Sequence, residues 1–107
     1  MIKVTFTEEG KKLSLRLEGH AGYAERGKDI VCASASILAS TLAAIVESFD
    51  EVKPNINLAE GNTTIECECE DEQTFIGVKN VYNYTAIGYV LLQYNYPQYV
   101  SLHTDLT

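Results

Sequence analysis

His20 and Cys32 bring an imidazole and a thiol within twelve positions of each other, using one of only two histidines and one of only three cysteines. A cysteine is mostly protonated at neutral pH and its thiolate is the nucleophile, so a reactive thiol needs surroundings that favour the anion. The start of a helix supplies them through the positive end of its dipole and its unpaired amides. A nearby imidazole stabilises the thiolate and then returns a proton to a leaving amine. In Gly19-His20-Ala21-Gly22-Tyr23-Ala24-Glu25-Arg26-Gly27-Lys28-Asp29-Ile30-Val31-Cys32, a glycine-punctuated polar loop separates the two groups. Asp29 fits an N-cap, which puts Cys32 at N3, and amides at the helix start are then candidates to hold an oxyanion. Asp29 caps the helix, orients His20, or does both. As isolated residues, the same side chains also fit a strand-end histidine and a small buried cysteine.

Such groups need a frame. Ile2, Val4 and Phe6 alternate with Lys3, Thr5 and Thr7, and Leu13, Leu15 and Leu17 with Ser14, Arg16 and Glu18. That period of two, across the turn Glu8-Glu9-Gly10-Lys11, predicts an antiparallel hairpin. Gly19 ends the second strand and leaves His20 at its tip. The loop from Gly22 to Lys28 is long for so small a domain, as functional loops are. From Ile30 to about Phe49, Ile37, Leu38, Leu42, Ile45, Val46 and Phe49 recur at helical spacing among Ala and Ser. A helix this poor in bulky and charged side chains is expected to be buried on most sides. Pro54 lies in the break that follows. Ile56-Asn57-Leu58 reads as a short strand, Glu60-Gly61-Asn62 as a turn, and Thr63 to Glu70 as a strand with Ile65, Cys67 and Cys69 on one face. A second helix from about Glu72 to Tyr94 turns Phe75, Val78, Val81, Tyr82, Thr85, Tyr89 and Leu92 inward, with Gly77 and Gly88 allowing close approach. Tyr99 to His103 forms a last short strand. The expectation is a single α+β domain over 1–107: an antiparallel sheet of about five strands packed with two helices, in the order ββαββαβ.

Composition narrows the function classes. A chain of 107 residues, 46% hydrophobic, builds one core without disulfides or a structural metal. A formal charge of −7 argues against a nucleic-acid partner. No apolar run approaches about 18 residues, so no membrane span is expected. An odd cysteine count without a secretory leader points to a reducing cytoplasm. Cys67 and Cys69 lack companions for a metal centre and are expected in the core, so neither metal nor cofactor is expected. His103 is expected at the surface or a strand end. Glu66, Glu68 and Glu70 read as a solvated strand face that would attract a basic partner.

Gly19-His20-Ala21, the glycine-containing loop, Asp29-Ile30-Val31-Cys32-Ala33 with Ser36, the Ala/Ser-rich helix and the ending Tyr96-Pro97-Gln98-Tyr99-Val100 resemble the ribosomal-processing cysteine protease family, Prp, over essentially the whole chain. The resemblance implies a cytoplasmic endopeptidase, often a homodimer, that removes a short N-terminal extension from a large-subunit ribosomal protein, number twenty-seven. His20 then matches the catalytic histidine, Cys32 the nucleophile and Asp29 the assisting acidic position. The loop from Gly22 to Lys28 corresponds to a mobile segment over the active site. Gly22, Tyr23 and Gly27, with Ala33, Ser34 and Ser36 at the helix start, are the expected substrate-binding residues. The alternative from another class is a non-catalytic, ribosome-associated regulatory or binding module that uses the same loop.

Overall fold

In the computed structural model, which describes residues 1–107, the alternating N-terminal segments pair as expected. β1 (Ile2–Glu9) and β2 (Lys12–Glu18) form an antiparallel hairpin with Val4 opposite Leu17 and Phe6 opposite Leu15. They are followed by α1 (Ile30–Glu47), β3 (Val52–Ala59), β4 (Asn62–Cys69), α2 (Glu72–Asn95) and β5 (Val100–Thr104). The element order is therefore ββαββαβ, and the strands join in one sheet in the order β3-β4-β2-β1-β5.

The sheet is mixed rather than wholly antiparallel, because β5 lies parallel to β1 while the other pairs are antiparallel. The reason is the length of α2. A helix leaving the end of one strand carries the chain back to the start of the sheet, so the next strand runs in the same direction. β3 is also longer than its three-residue apolar core suggests, since it includes Pro54 opposite Cys67. Proline is tolerated there because β3 is an edge strand, with no neighbour needing the missing amide.

One face of the sheet carries the core. Val4, Phe6, Leu13, Leu15, Ile65, Cys67 and Cys69 are buried beneath the two helices. The Tyr82 and Tyr89 rings meet Phe6 edge-on, and their hydroxyls donate to the carbonyls of Ile65 (2.9 Å) and Ala35 (2.8 Å). These bonds satisfy the only polar atoms such rings bring into the interior.

α1 is not buried on most sides. It buries one stripe, Val31, Ala35, Ala39, Leu42, Ala43 and Val46, and leaves Ile37 64% exposed. Two neighbours, the sheet and α2, cover only part of its circumference. Its small side chains also make it apolar enough over 18 residues to qualify by length and composition as a membrane span, contrary to the expectation from apolar runs. Alanine and serine supply that character, and the buried stripe is packed on the fold. α2 approaches α1 closely at Gly88, where a Cβ would stand 2.7 Å from Leu38. On α2, Val81 and Thr85 are half-buried, and the deepest stripe is Phe75, Val78, Tyr82, Ala86, Tyr89 and Leu92.

Candidate active site

The segment between β2 and α1 assembles the site. Gly19 adopts a positive φ of 89°, and a Cβ there would stand 2.7 Å from the Met1 carbonyl oxygen, so the strand tip needs glycine. Its amide donates to the Gly61 carbonyl at 2.9 Å, tying the tip of β2 to the β3–β4 turn. His20 follows, exposed, its carbonyl accepting from the Met1 ammonium at 2.6 Å. Ala21 turns back into the core, and its amide donates to the Cys32 sulfur at 3.4 Å. Histidine and cysteine are thus joined through one intervening amide, and the imidazole itself rests over Gly61.

Cys32 is held at N3 of α1 by the cap. The Oδ1 of Asp29 accepts from the amides of Val31 (3.0 Å) and Cys32 (2.9 Å), while Oδ2 accepts from Tyr23 (3.0 Å) and Ala24 (3.3 Å) in the preceding loop. Burial pushes the Asp29 carboxyl upward, but the amides of Cys32, Ala24, Tyr23 and Val31 outweigh it and hold the group below the usual carboxylate range. Asp29 therefore binds the helix start and the loop, and its hydrogen bonds do not include His20. This also revises the expected oxyanion site: Asp29 takes the Val31 and Cys32 amides through its side chain and the Ala33 amide through its carbonyl.

Cys32 and His20 line the same cavity of about 870 Å³. Small residues of α1, among them Ala33, Ser36 and Ser40, form one wall, and Leu58, Gly61 and Thr63 of the β3–β4 hairpin form the other. Gly22, Arg26 and Gly27 contribute from the loop. Tyr23 and Ser34 lie elsewhere. The Tyr23 ring packs edge-on against Tyr96 and Tyr99, with centroids 5.5 and 5.2 Å away, and the Ser34 hydroxyl turns back to the Ile30 carbonyl at 2.7 Å. The loop is tied down on its other side by Arg26, whose guanidinium meets Glu60 at 2.8 Å.

Cys67 and Cys69 are a different kind of cysteine. Burial in the core pushes both thiols up, Cys69 to about 11, which disfavours the reactive thiolate. His103 sits on β5 with Asp105 at 3.3 Å and does not line the cavity. Leu58, Glu60, Gly61 and Thr63 of the β3–β4 hairpin are among the site residues that local spacing did not single out. Their only sequence signal is the turn itself, and its proximity to His20 depends on pairing between distant strands.

The family model described as cysteine protease Prp matches residues 1–101. Two curated Staphylococcus aureus proteins, each a ribosomal processing cysteine protease Prp, are 40% identical over 57 residues. That match is 52% of this chain and 53% of theirs, so the chain spans about half the length of the curated relatives it matches. Among solved structures, the S. aureus Prp protease with a covalently linked product peptide superposes with a TM-score of 0.81 at 22% identity, over 98% of this chain and 100% of that one. A Streptococcus mutans protein gives 0.70 at 28% identity, over 97% and 93%. The S. aureus protease with a substrate peptide gives 0.73 at 20% identity, over 98% and 100%. The chain belongs to the Prp cysteine protease family.

Proposed function

We propose that this protein is a cytoplasmic cysteine endopeptidase that trims the N-terminal extension of a large-subunit ribosomal protein, number twenty-seven, with Cys32 as nucleophile and His20 as general base and acid. The observation that carries the reading is the Cys32 sulfur. It sits at N3 of a helix and accepts the Ala21 amide at 3.4 Å, and its residue lines one cavity with His20. The positive end of the helix dipole and the Ala21 amide both point at the sulfur.

In this mechanism the His20 imidazole takes the thiol proton, and the sulfur attacks the scissile carbonyl carbon. Collapse of the tetrahedral adduct breaks the C–N bond, and the imidazolium gives its proton to the departing amine. A water, deprotonated by the same imidazole, then attacks the thioester carbon and releases the carboxyl product with the thiol restored. Asp29 holds the nucleophile's helix and the loop through backbone amides. Family membership and the peptide complexes of the S. aureus proteases support a peptide substrate. The formal charge of −7 favours a basic one.

A homodimer is part of the same reading. The outward side of α2 exposes Tyr84, Ile87, Val90, Leu91 and Tyr94, an apolar stripe of the kind that marks an interaction face.

The test is incubation of the purified protein with the N-terminal peptide of that ribosomal protein, beside Cys32→Ser and His20→Ala. Cleavage by wild type and its loss in both variants is the expected result. An uncut peptide, or variants as active as wild type, overturns the reading in favour of a binding module.

A further inference from the structure

We propose that Gly61 is a positioning residue for His20: the imidazole has its seat on the β3–β4 turn only because residue 61 lacks a side chain. A Cβ at Gly61 would stand 2.8 Å from Nε2 of His20, 3.1 Å from Cε1 and 3.7 Å from Cδ2. The outer edge of the ring therefore occupies space that a side chain at residue 61 would take. The same turn is fixed to the strand tip by the 2.9 Å bond from the Gly19 amide to the Gly61 carbonyl. On the other side of His20, the Ala21 amide reaches the Cys32 sulfur. Gly19, His20 and Ala21 in succession thus engage the turn backbone, the space above the turn, and the thiol.

An added methyl would strike the end of a rotatable side chain, so the ring yields rather than the main chain. The cost then falls on the geometry of proton transfer, where displacements of about 1 Å lower rates by up to about 10²-fold. A positive φ of 77° would by itself favour glycine at this position, and Gly10 separates the two causes. Gly10 lies in the β1–β2 turn with a φ of 60°, and a Cβ there meets nothing within 4 Å.

The inference rests on the reading of His20 as the base for Cys32, and its test includes measurements that need no peptide. Gly61→Ala and Gly10→Ala are made alone and with His20→Ala. Peptide cleavage, iodoacetamide alkylation of Cys32 and the His20 ring resonances are then recorded. Gly61→Ala is expected to move the ring resonances, slow alkylation several-fold and lower kcat about tenfold or more at little changed KM. Gly10→Ala leaves all three at wild type, and Gly61→Ala adds nothing once His20 is alanine. Unmoved ring resonances, wild-type rates, or an equal loss with and without His20 overturns the proposal. Should Gly61→Ala fail to fold, Gly61→Asn brings the same Cβ to the ring in a residue that tolerates left-handed backbone, and the same measures judge it. If wild type is alkylated in a His20-dependent way yet cuts no peptide, the protease reading falls. Alkylation and the ring resonances then decide the role of Gly61.

Discussion

The two carboxylate oxygens of Asp29 serve different segments, and substitution separates them. Asp29→Ala loses the cap as well as the loop anchor and is expected to lower stability by about 1 kcal/mol in chemical denaturation. Asp29→Asn keeps an acceptor for the helix amides but turns an NH₂ group toward those of Tyr23 and Ala24, so it loosens the loop with less effect on the midpoint. The pH dependence has a definite sign. A carboxylate held below its ordinary value contributes stability that is complete above the unfolded-state value, about 4, and is lost as pH falls through the lower folded value. The denaturation midpoint should stay flat from neutral pH to about 5 with respect to this group and drop below about 4, less so in Asp29→Asn. Glu8, bonded to Lys79 and Thr107, and Asp71, which caps α2, are lowered as well and retain part of the drop in that variant. The thiols divide just as sharply. Cys32 lines the cavity while Cys67 and Cys69 are buried, so brief native alkylation should label one cysteine and denatured alkylation three. Early native labelling of Cys67 or Cys69 would contradict the packing described.

The loop between β2 and α1 is held at both ends of its span. Tyr23 stands edge-on to two tyrosines, and Arg26 pairs with Glu60 in the open. Aromatic pairs of this type add about 0.5–1.5 kcal/mol each, whereas an exposed ion pair contributes about 0.2–1 kcal/mol. Tryptic cutting after Arg26 and Lys28 should therefore accelerate more in Tyr23→Ala than in Glu60→Gln, with wild type slowest. The reverse order would mean that the ion pair is the main fastening. These ties also mark how far the sequence could be read. β1, β2 and β4 follow from alternation that one buried face imposes, and Asp29 as N-cap follows from local chemistry. β3 was legible only in its middle, because an edge strand needs few apolar residues and admits Pro54. The parallel pairing of β5, the seat of His20 on Gly61 and the Arg26–Glu60 contact join segments far apart in the chain, and no local pattern records them. The exposure of Ile37 escaped for a related reason: periodicity marks apolar positions, and the partners that cover them are set by the whole fold.

The molecule as a whole is a sheet with helices on one face, and the helices in turn leave an apolar outer side on α2. If that side is the dimer surface, Ile87→Asp and Leu91→Asp should each yield a monomer by light scattering while circular dichroism keeps its helical content. A wild-type protein that remains monomeric at concentrations well above those used for assay would remove the dimer from the reading. The strand order carries a separate consequence for how substrate enters. One wall of the cavity belongs to α1, anchored in the core, but the opposing wall belongs to the β3–β4 hairpin, whose outer strand is paired on one side only. The two walls therefore differ in their backing: α1 is packed against the sheet and α2, whereas β3 is hydrogen-bonded to β4 alone. Accommodation of a bulkier peptide on that side would fall on the edge strand β3, the one strand that can yield while β4, β2, β1 and β5 keep their pairing.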